Sequence, residues 1–294
     1  MKQIKGIILA GGFGSRLYPL TLGTSKQLLP VYDKPMIYYP LSVFMSSGIK
    51  NILIITTSED SNRYKQLLGY GKKLGIEISY AIQDIPNGIA EAFLIGEDFI
   101  GDDDVSLILG DNIFHGNELY TQIEKAKENL DHGFSTIFGI KVDKPENFGV
   151  INFSDYGEII SIVEKPKNPS SMVIVSGLYF YTNDVIKLAR DLKPSDRGEK
   201  EITDINNLYL NKRKLKLNLL NDRISWIDTG TYGSLIKASK FFEDYERKTK
   251  KKASCIEEIA FRMGYINKNQ LITIGNSMKS SEYGKYILDL TKWN

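Results

Sequence analysis

The sequence has few of the residues that build redox and zinc sites. Its 294 residues include one cysteine, Cys255, and two histidines, His115 and His132. A single cysteine excludes an internal disulfide and fits a reducing compartment, and we expect it to be a small buried hydrophobic residue. A zinc site of the His/Cys type would be hard to build from so few ligands.

Long apolar runs and an excess of one sign of charge are also lacking. No apolar run in the sequence approaches the ~20 residues that a membrane-spanning helix needs. The N-terminus shows no basic segment followed by an apolar one, so we expect a cytoplasmic location. The 38 basic and 36 acidic residues leave a formal net charge of +2. This balance argues against a nucleic-acid-binding protein with a strongly basic face.

The sequence is instead rich in short apolar segments of Ile, Val and Leu, which predict strands. They alternate with segments long enough for helices, an order typical of a mostly parallel sheet covered on both faces. We therefore expect an α/β fold, a three-layer αβα sandwich with a mixed, mostly parallel sheet. The strands are expected at residues 4–10, 51–57, 76–83, 105–109 and 135–142.

The second half of the chain changes in pattern. Residues 148–166 indicate two strands joined by a turn at 155–157, and residues 173–181 indicate another strand. Small antiparallel additions to the sheet are therefore expected. From residue 241 onward the pattern is helical, and 271–274 is its clearest strand-like segment. We expect a single domain over residues 1–294, with 241–294 as a helical C-terminal extension.

Some helix ends are indicated by single residues. Pro35 suits the first turn of a helix over residues 36–47, and Gly48 fits just past its end. Asn183 is expected to cap a helix over residues 184–192.

The first expected strand leads directly into a glycine-rich bend with an arginine, GGFGSR at residues 11–16. Glycine lets backbone N–H groups approach anionic oxygens, so such a bend is typical of a phosphate site. It is not a Walker A motif, and it lacks the third small residue of the dinucleotide fingerprint. No G-x-S-x-G nucleophile elbow is present either. The alternative interpretation is a tight turn without a ligand.

Two aspartates stand out independently of that bend. Asp111 ends the segment SLILGD, and Asp228 lies in SWIDTGT. Open α/β sheets place ligands at the carboxyl ends of their strands. Two carboxylates near a polyphosphate most naturally bind Mg²⁺, a hard cation that prefers oxygen ligands. Taken singly, each aspartate is more often a helix cap or a turn residue.

The bend and the segment after it match one long pattern, G-G-x-G-[ST]-R-L-x-P-x-T-x-x-x-S-K-x-L-L-P. This pattern resembles the signature of the sugar-1-phosphate nucleotidylyltransferases. The similarity continues through QDIPNGIAEAF, LGDNIF, EKP, SGLYFY, EITDIN, WIDTGT, EEIAFR and YGKYI, and so covers nearly the whole chain. The variant SKQLLPVYDKPMIYYPLS is most similar to the thymidylyltransferase branch. The matching residues are Gly11, Gly12, Gly14, Ser15, Arg16, Leu17, Pro19, Thr21, Ser25, Lys26 and Pro30.

The resemblance implies a Rossmann-like nucleotide-diphospho-sugar transferase fold and a specific reaction. A thymidylyl group would pass from dTTP to α-D-glucose 1-phosphate in a single Mg²⁺-dependent displacement, giving dTDP-glucose and pyrophosphate. This product would supply the synthesis of dTDP-rhamnose and other deoxysugars. Two alternatives stay open at this point. One is the same chemistry with UTP, CTP or ATP, and the other is a non-catalytic nucleotide-sugar sensor.

The resemblance also implies roles for individual residues. Arg16, Lys26, Asp111 and Asp228 would be catalytic, with the two aspartates holding Mg²⁺. Nucleotide binding would fall to Leu9, Gly11, Gly12, Gly14, Ser15, Arg16, Lys26, Gln27, Gln83, Gly88 and Asp111. Sugar-phosphate binding would fall to Asn112, Gly149, Glu164, Lys165, Val175 and Trp226.

Some of these assignments have a plainer alternative. Core packing explains Trp226 equally well, and Glu164 and Lys165 could be an exposed charged pair before a proline. Phe148 stands where relatives usually have tyrosine, so a hydroxyl contact to the sugar is in doubt there.

Relatives of this kind are usually homotetramers with a second, regulatory nucleotide site at an interface. Residues 251–266 resemble the segment that lines that site, which would place a dTDP-sugar near Cys255, Glu258 and Arg262. A plain surface helix is the alternative interpretation of this segment.

Overall fold

The computed structural model of the protein describes residues 2–292. Its strands are β1 (Ile4–Leu9), β2 (Pro30–Val31), β3 (Lys34–Pro35), β4 (Asn51–Thr56), β5 (Glu77–Ile82), β6 (Asp104–Leu109), β7 (Asn112–His115), β8 (Ser135–Lys141), β9 (Gly149–Phe153), β10 (Ile159–Glu164), β11 (Val173–Tyr181), β12 (Leu215–Leu219) and β13 (Ser225–Asp228).

The helices are α1 (Tyr38–Ser46), α2 (Ser58–Leu68), α3 (Ala92–Ile95), α4 (Glu97–Ile100), α5 (Glu118–Asp131), α6 (Val185–Asp191), α7 (Ile202–Asn211), α8 (Tyr232–Thr249), α9 (Ile256–Arg262), α10 (Lys268–Ser277) and α11 (Glu282–Leu290). Short 3₁₀ helices lie at Ser15–Leu17, Lys26–Leu28, Lys72–Leu74, Ile89–Glu91 and Pro145–Asn147.

A mixed sheet of nine strands forms the centre of the described residues. Its main path runs β10-β9-β11-β6-β1-β4-β5, while β8 pairs with β11 and β12 pairs with β8. Strands β6, β1, β4 and β5 are parallel, and β11 joins β6 antiparallel. This arrangement confirms the α/β class with a mixed, mostly parallel sheet. Two smaller sheets pair β7 with β13 and β2 with β3.

Both faces of the central sheet are covered by apolar side chains, as period-two alternation along a buried strand requires. In β1, Ile8 packs in one cluster with Phe44 of α1. The neighbouring Ile7 packs in a second cluster with Phe93 of α3. The chain therefore folds as a helical layer on each side of the sheet, which is the sandwich expected from the apolar strands.

Helices near the C-terminus contribute to the first of these clusters. Ile256 of α9 and Ile287 of α11 are buried with residues of α1. The division into one domain with a C-terminal extension stays a prediction. No helix within residues 2–292 combines the length and the apolar character that crossing a membrane requires.

The strands expected from continuous apolar segments are found within about one residue of their expected bounds, as β1, β4, β5, β6, β8 and β11. The expected hairpin is present as β9 and β10, which pair antiparallel. Strands β2, β3, β7, β12 and β13 were not expected. Strands β2, β3, β7 and β13 have two to four residues and carry little apolar signal, whereas the alternating leucines of β12 gave a signal that was missed.

Two expectations about local structure, at Pro35 and Asn183, were wrong, while the expected helical pattern after residue 241 holds even at its most strand-like segment. Pro35 does not begin a helix but pairs with Pro30 in the β2–β3 hairpin, and α1 starts at Tyr38. Asn183 makes no capping bond, because its Nδ2 donates 2.7 Å hydrogen bonds to the carbonyl oxygens of Gly101 and Asp103. The strand-like residues 271–274 lie inside α10, whose first turn is fixed by reciprocal hydrogen bonds between Asn267 and Gln270.

Candidate functional site

The glycine-rich bend lies at the carboxyl end of β1, between two other strand ends. Gly14 has a φ of +58°, a left-handed conformation that favours glycine. A Cβ at this position would lie 3.3 Å from Cβ of Lys26, so the bend and the Lys26 segment are packed together. Thr21 fastens the loop by donating a 2.9 Å hydrogen bond to the carbonyl oxygen of Gly14. The bend can therefore hold Arg16 and Lys26 on the same side of the sheet.

Lys26 is buried, and its charge is paired with Asp111. Its Nζ donates to Oδ2 of Asp111 over 2.6 Å, and the other oxygen of that carboxylate accepts from Nδ2 of Asn112 over 2.9 Å. Asp111 follows β6, which is the neighbour of β1 in the sheet. A buried ammonium needs such a partner, since leaving it unpaired would be costly.

The β7–β13 ladder brings Asp228 to Asp111. Asp228 is the register partner of Asn112. The next residue, Thr229, donates to the carbonyl oxygen of Asp111 from its backbone nitrogen over 3.2 Å and from its hydroxyl over 2.8 Å. Two carboxylates that are far apart in the chain are thus adjacent in the fold.

Arg16 lies next to Asp228, with Gly230 between them. A Cβ on Gly230 would come within 3.1 Å of Nη2 of Arg16 and 3.2 Å of Oδ2 of Asp228. The missing side chain leaves a narrow gap between the guanidinium and the carboxylate. Any larger residue would push these two groups apart.

The two carboxyl groups have opposite electrostatic surroundings. Burial alone would raise the pKa of Asp111, but the Lys26 ammonium and its hydrogen bond hold that pKa below its usual value. Burial and the neighbouring Asp111 charge raise the pKa of Asp228, and Lys26 and Arg16 only partly offset them. The site therefore holds one compensated carboxylate and one that lacks sufficient positive charge.

A cavity of about 720 Å³ opens in front of these groups. A smaller space of about 190 Å³, lined by Gly11, Gly14, Lys26 and Gln27, adjoins it, and the two share Gly12, Ser15, Arg16 and Asp111. Arg16 and Asp111 thus line both cavities, while Lys26 lines the smaller one and Asp228 the larger. The larger cavity is also lined by Asn112, Gly149, Glu164, Lys165, Val175 and Trp226.

The far wall of the cavity combines rings and polar groups. Nε1 of Trp226 donates to Oδ1 of Asn112 over 2.8 Å and to the carbonyl oxygen of Ser176 over 3.0 Å. Phe148 meets the indole edge to face, with ring centroids 5.5 Å apart. Trp226 therefore packs against the core and lines the cavity, so neither interpretation of this residue excludes the other.

Glu164 and Lys165 line the same cavity as Phe148 and Trp226. Oε2 of Glu164 accepts a 2.6 Å hydrogen bond from the Thr203 hydroxyl, which leaves Oε1 directed toward Lys165. The Lys165 ammonium is 3.5 Å from that oxygen, and its side chain is 45 % exposed. Its position allows it to reach an anion in the cavity.

Within residues 2–292, the smaller and the larger cavity are both lined without Gln83, Gly88 or Leu9. Gln83 is nevertheless close, because a Cβ on Gly11 would lie 3.5 Å from its Oε1. Gly88 is bonded to it, since Nε2 of Gln83 donates to the Gly88 carbonyl oxygen over 3.4 Å. Leu9 is the last residue of β1 and lies directly under the bend.

Comparison with known proteins gives the family. The family model described as Nucleotidyl transferase matches residues 5–245. A glucose-1-phosphate thymidylyltransferase of Neisseria meningitidis is 50 % identical over 98 % of this chain and 100 % of its own length. One from Mycobacterium tuberculosis is 49 % identical over 99 % and 100 %. The chain belongs to the glucose-1-phosphate thymidylyltransferases of the nucleotidyl transferase family.

Solved structures agree with this membership. A crystal structure of a candidate glucose-1-phosphate thymidylyltransferase from Bacillus anthracis, in complex with a sucrose, has a TM-score of 0.75 and 43 % identity. It covers 81 % of this chain and 94 % of that one. A UDP-glucose pyrophosphorylase complexed with UDP-glucose has a TM-score of 0.70 at 24 % identity, covering 83 % and 100 %, and so supports the fold alone. The resemblance found in the sequence is confirmed, and the chain is a nucleotidyltransferase enzyme.

One residue of the larger cavity was missed by the sequence analysis. Arg197 lines the cavity, with its Nη1 3.6 Å from Oε1 of Glu164 and 3.2 Å from Oε1 of Glu201. It lies in the loop between α6 and α7, where a single basic residue gives no periodic signal. Only its position just before the segment EITDIN could have drawn attention to it.

A separate cavity of about 240 Å³ lies beside α9 of the enzyme. Cys255, Glu258 and Arg262 line it, and Nε of Arg262 donates to Oε1 of Glu258 over 2.7 Å. Cys255 is 1 % exposed, and burial raises the pKa of its thiol, which makes it an inert apolar group rather than a nucleophile. The structure thus brings these three residues to one cavity, away from the catalytic candidates.

Proposed function

We propose that the protein transfers a thymidylyl group from dTTP to α-D-glucose 1-phosphate, giving dTDP-glucose and pyrophosphate. The observation that carries the proposal is the pair of adjoining cavities, sharing Arg16 and Asp111, that Lys26 and Asp228 also line. The names of the similar proteins support the choice of substrates.

The donor set suits Mg²⁺. This ion prefers oxygen ligands and usually takes one or two carboxylates together with substrate phosphates. Asp111 and Asp228 provide two adjacent carboxylates, and the raised pKa of Asp228 marks a place where positive charge is lacking. When bound there, Mg²⁺ would neutralise phosphate charge. Within residues 2–292 no group of three or more His, Cys, Asp or Glu side chains is placed to hold a metal, so the substrate would complete the coordination.

The reaction needs charge compensation more than it needs a base. The attacking oxygen belongs to a sugar phosphate that is already ionised, so no side chain has to remove a proton from it. A bond forms between that oxygen and the α-phosphorus of dTTP, while the bond from this phosphorus to the bridging oxygen of pyrophosphate breaks. The obstacle is repulsion, since two like charges about 4 Å apart repel by roughly 4 kcal/mol at an effective dielectric of 20.

Cationic side chains would reduce this repulsion on both the triphosphate side and the sugar-phosphate side of the cavity. Arg16 would contact the triphosphate and the departing pyrophosphate, for which its planar guanidinium is suited. Lys26, held by Asp111 over 2.6 Å, would meet the α-phosphate. Lys165 and Arg197 on the far wall would hold the phosphate of the sugar. Catalysis would then rest on positioning and charge stabilisation.

The sugar ring would lie between the aromatic and the acidic sides of the cavity. Oε1 of Glu164 can accept from sugar hydroxyls, because Thr203 already occupies its other oxygen. Phe148 and Trp226 offer apolar surface to one face of the ring. Phe148 has no hydroxyl, so this wall would hold the sugar by packing rather than by a tyrosine hydrogen bond.

A panel of triphosphates with pyrophosphate detection tests the proposal. Purified protein is incubated with glucose 1-phosphate, Mg²⁺ and dTTP, UTP, dCTP or ATP in turn. We expect release to be fastest with dTTP and measurable with UTP, because a single methyl group allows only about 10- to 200-fold discrimination. No release with any of the four would favour the nucleotide-sugar sensor, and a clear preference for another triphosphate would overturn the assignment to dTTP.

The assembly and regulation of the enzyme are part of the same proposal. A homotetramer in the cytoplasm, with a dTDP-sugar bound near Cys255, Glu258 and Arg262, would give feedback from the deoxysugar pathway. The basic Arg262 and Lys251 at this cavity suit a diphosphate. Initial rates with and without dTDP-rhamnose, together with the mass in solution, test these two points. Unchanged rates in the tetramer would contradict the feedback.

A further inference from the structure

The side-chain amide of Gln83 is held in one orientation. Its Nε2 donates to Oε2 of Glu91 over 2.7 Å and to the carbonyl oxygen of Gly88 over 3.4 Å. An ionised carboxylate and a backbone carbonyl can only accept hydrogen bonds. The nitrogen of the amide must therefore face them, and Oε1 must face the other way.

The free oxygen of that amide is directed at the glycine-rich bend. Oε1 of Gln83 lies 3.5 Å from the point that a Cβ on Gly11 would occupy. Gly11 lines the space that leads to Arg16 and Lys26. Gln83 itself is 7 % exposed, so its oxygen has little access to bulk water. An acceptor thus lies beside the bend, next to the residue that lines this space.

Glu91 is itself fixed by the loop around it. Its second oxygen, Oε1, accepts a 3.0 Å hydrogen bond from Nδ2 of Asn87. The backbone of this loop is tied to Lys200, whose nitrogen donates to the Asn87 carbonyl oxygen over 2.7 Å. Lys200 in turn accepts from the nitrogen of Ala90 over 3.2 Å. Because both of its oxygens accept hydrogen bonds, the Glu91 carboxylate stays in place as the acceptor for the Gln83 amide nitrogen.

We infer that Glu91 is a positioning residue that sets the choice of pyrimidine through Gln83. The inference rests on the proposed function, and it concerns specificity rather than the transfer step. Thymine and uracil carry an N–H donor at N3, while cytosine has an acceptor at N3 and an amino donor beside it. An amide oxygen fixed toward the base pairs with the N3–H of thymine. It meets a second acceptor at N3 of cytosine, a buried mismatch that costs about ten- to a hundredfold in affinity.

Substitutions at Glu91 test this directly, because they change what the amide nitrogen can bond to. In Glu91→Lys the side chain can only donate, so the Gln83 amide should turn and present its nitrogen to the base. We expect the ratio of kcat/KM for dTTP to that for dCTP to fall by at least about tenfold. Glu91→Leu leaves the amide without a strong partner and should lower the ratio by a smaller factor. Glu91→Gln keeps an acceptor and should stay within about threefold of the parent.

The matched control is Glu128→Lys, the same change of charge at an exposed position on α5. It should leave the ratio unchanged. If Glu91→Lys and Glu91→Leu both fold, as judged by circular dichroism, and both keep the parent ratio, the inference is wrong. If Glu91→Lys does not fold, the ratio of kcat/KM for dTTP to that for dCTP is compared between Glu91→Leu and Glu91→Gln. A lower ratio in Glu91→Leu supports the inference, and equal ratios overturn it.

Equilibrium binding separates this inference from the proposed function. Affinities of dTDP and dCDP for the parent and the Glu91 variants are measured by calorimetry without sugar phosphate. A parent that binds dTDP more tightly than dCDP, with that preference lost in Glu91→Lys, supports the role of Glu91 even if no pyrophosphate is released. A parent that releases pyrophosphate from dTTP, with the preference unchanged in every variant, overturns the inference alone.

Discussion

At the scale of single residues, Arg16 illustrates how a charge can be useful without being buried. It lies on an exposed turn, with its guanidinium separated from Asp228 only by the gap at Gly230. In the proposed reaction, a cation in this place would be free to follow negative charge as it moves from the α-phosphate to pyrophosphate. The stabilisation that Arg16 provides should therefore be greatest in the transition state.

We predict that Arg16→Ala lowers kcat by roughly 10²- to 10³-fold, the range found when one preorganised donor is removed. The KM for glucose 1-phosphate should change little, because Lys165 and Arg197 remain on the sugar side of the cavity. Steady-state kinetics at saturating dTTP measure both quantities. Arg190→Ala is the control, since Arg190 lies on α6 and pairs with Glu97 outside the cavity. A mutant that keeps the parent kcat would contradict the role of Arg16.

At the scale of secondary structure, the interruption in β11 shapes the cavity wall. The pairing of β11 with β8 shifts between Val175 and Tyr179, and Gly177 within this bulge has a φ of +74°. A Cβ there would lie 2.9 Å from Oδ1 of Asn112, the atom that accepts from Trp226. A bulge beside a site can re-aim a side chain in this way.

Gly177→Ala should therefore destabilise the fold and disturb the Asn112–Trp226 pair together. The left-handed conformation alone costs about 1–2 kcal/mol with a Cβ, and the contact with Asn112 adds to it. Chemical unfolding gives the stability, and the tryptophan fluorescence reports on the pair. The neighbouring Ser176→Ala is the matched control: its buried hydroxyl has no partner within residues 2–292, so its loss should be nearly neutral. Equal stability losses in both variants would argue against this reading of the bulge.

The same scale separates what the sequence could predict from what it could not. Continuous apolar segments such as β1 and β6 were predictable because burial on both faces leaves a strong local signal. β12 had a usable signal that was missed, since its leucines at 215, 217 and 219 alternate with polar residues. β13 has four residues and no such pattern, so its pairing with β7 comes from the fold.

The candidate site divides in a similar way. The glycine bend and Asp111 could be proposed because they follow apolar strands, and Asp228 because it ends a short apolar run. The long motif made the family recognisable. The contact of Arg197 with Glu164 could not be predicted. A basic residue in a loop contacts distant residues only after the elements that carry them have packed together. The orientation of Gln83 likewise depends on Glu91, and no sequence pattern singles out Glu91.

At the scale of the whole molecule, the site concentrates charges that oppose folding. Asp228 is partly buried next to Asp111, and its raised pKa means that its ionised form is disfavoured in the folded state. A carboxyl group whose pKa is raised on folding lowers the free energy of unfolding at every pH above its pKa in the unfolded chain. Asp111 has the opposite effect, because Lys26 lowers its pKa and the ion pair favours the folded state.

Two conservative substitutions should consequently shift the melting temperature in opposite directions. Without Mg²⁺ and substrates, Asp228→Asn should raise it, by roughly 1.5–2 °C for each kcal/mol of relieved repulsion in a protein of this size. Asp111→Asn should lower it, since Lys26 would lose its buried partner. Both variants should lose nucleotidyl transfer, so greater stability in Asp228→Asn would come at the expense of activity. Thermal unfolding followed by circular dichroism in the presence of EDTA measures the two shifts. If both variants moved the same way, the two carboxylates would share one environment, and the division into a compensated and an uncompensated charge would be wrong.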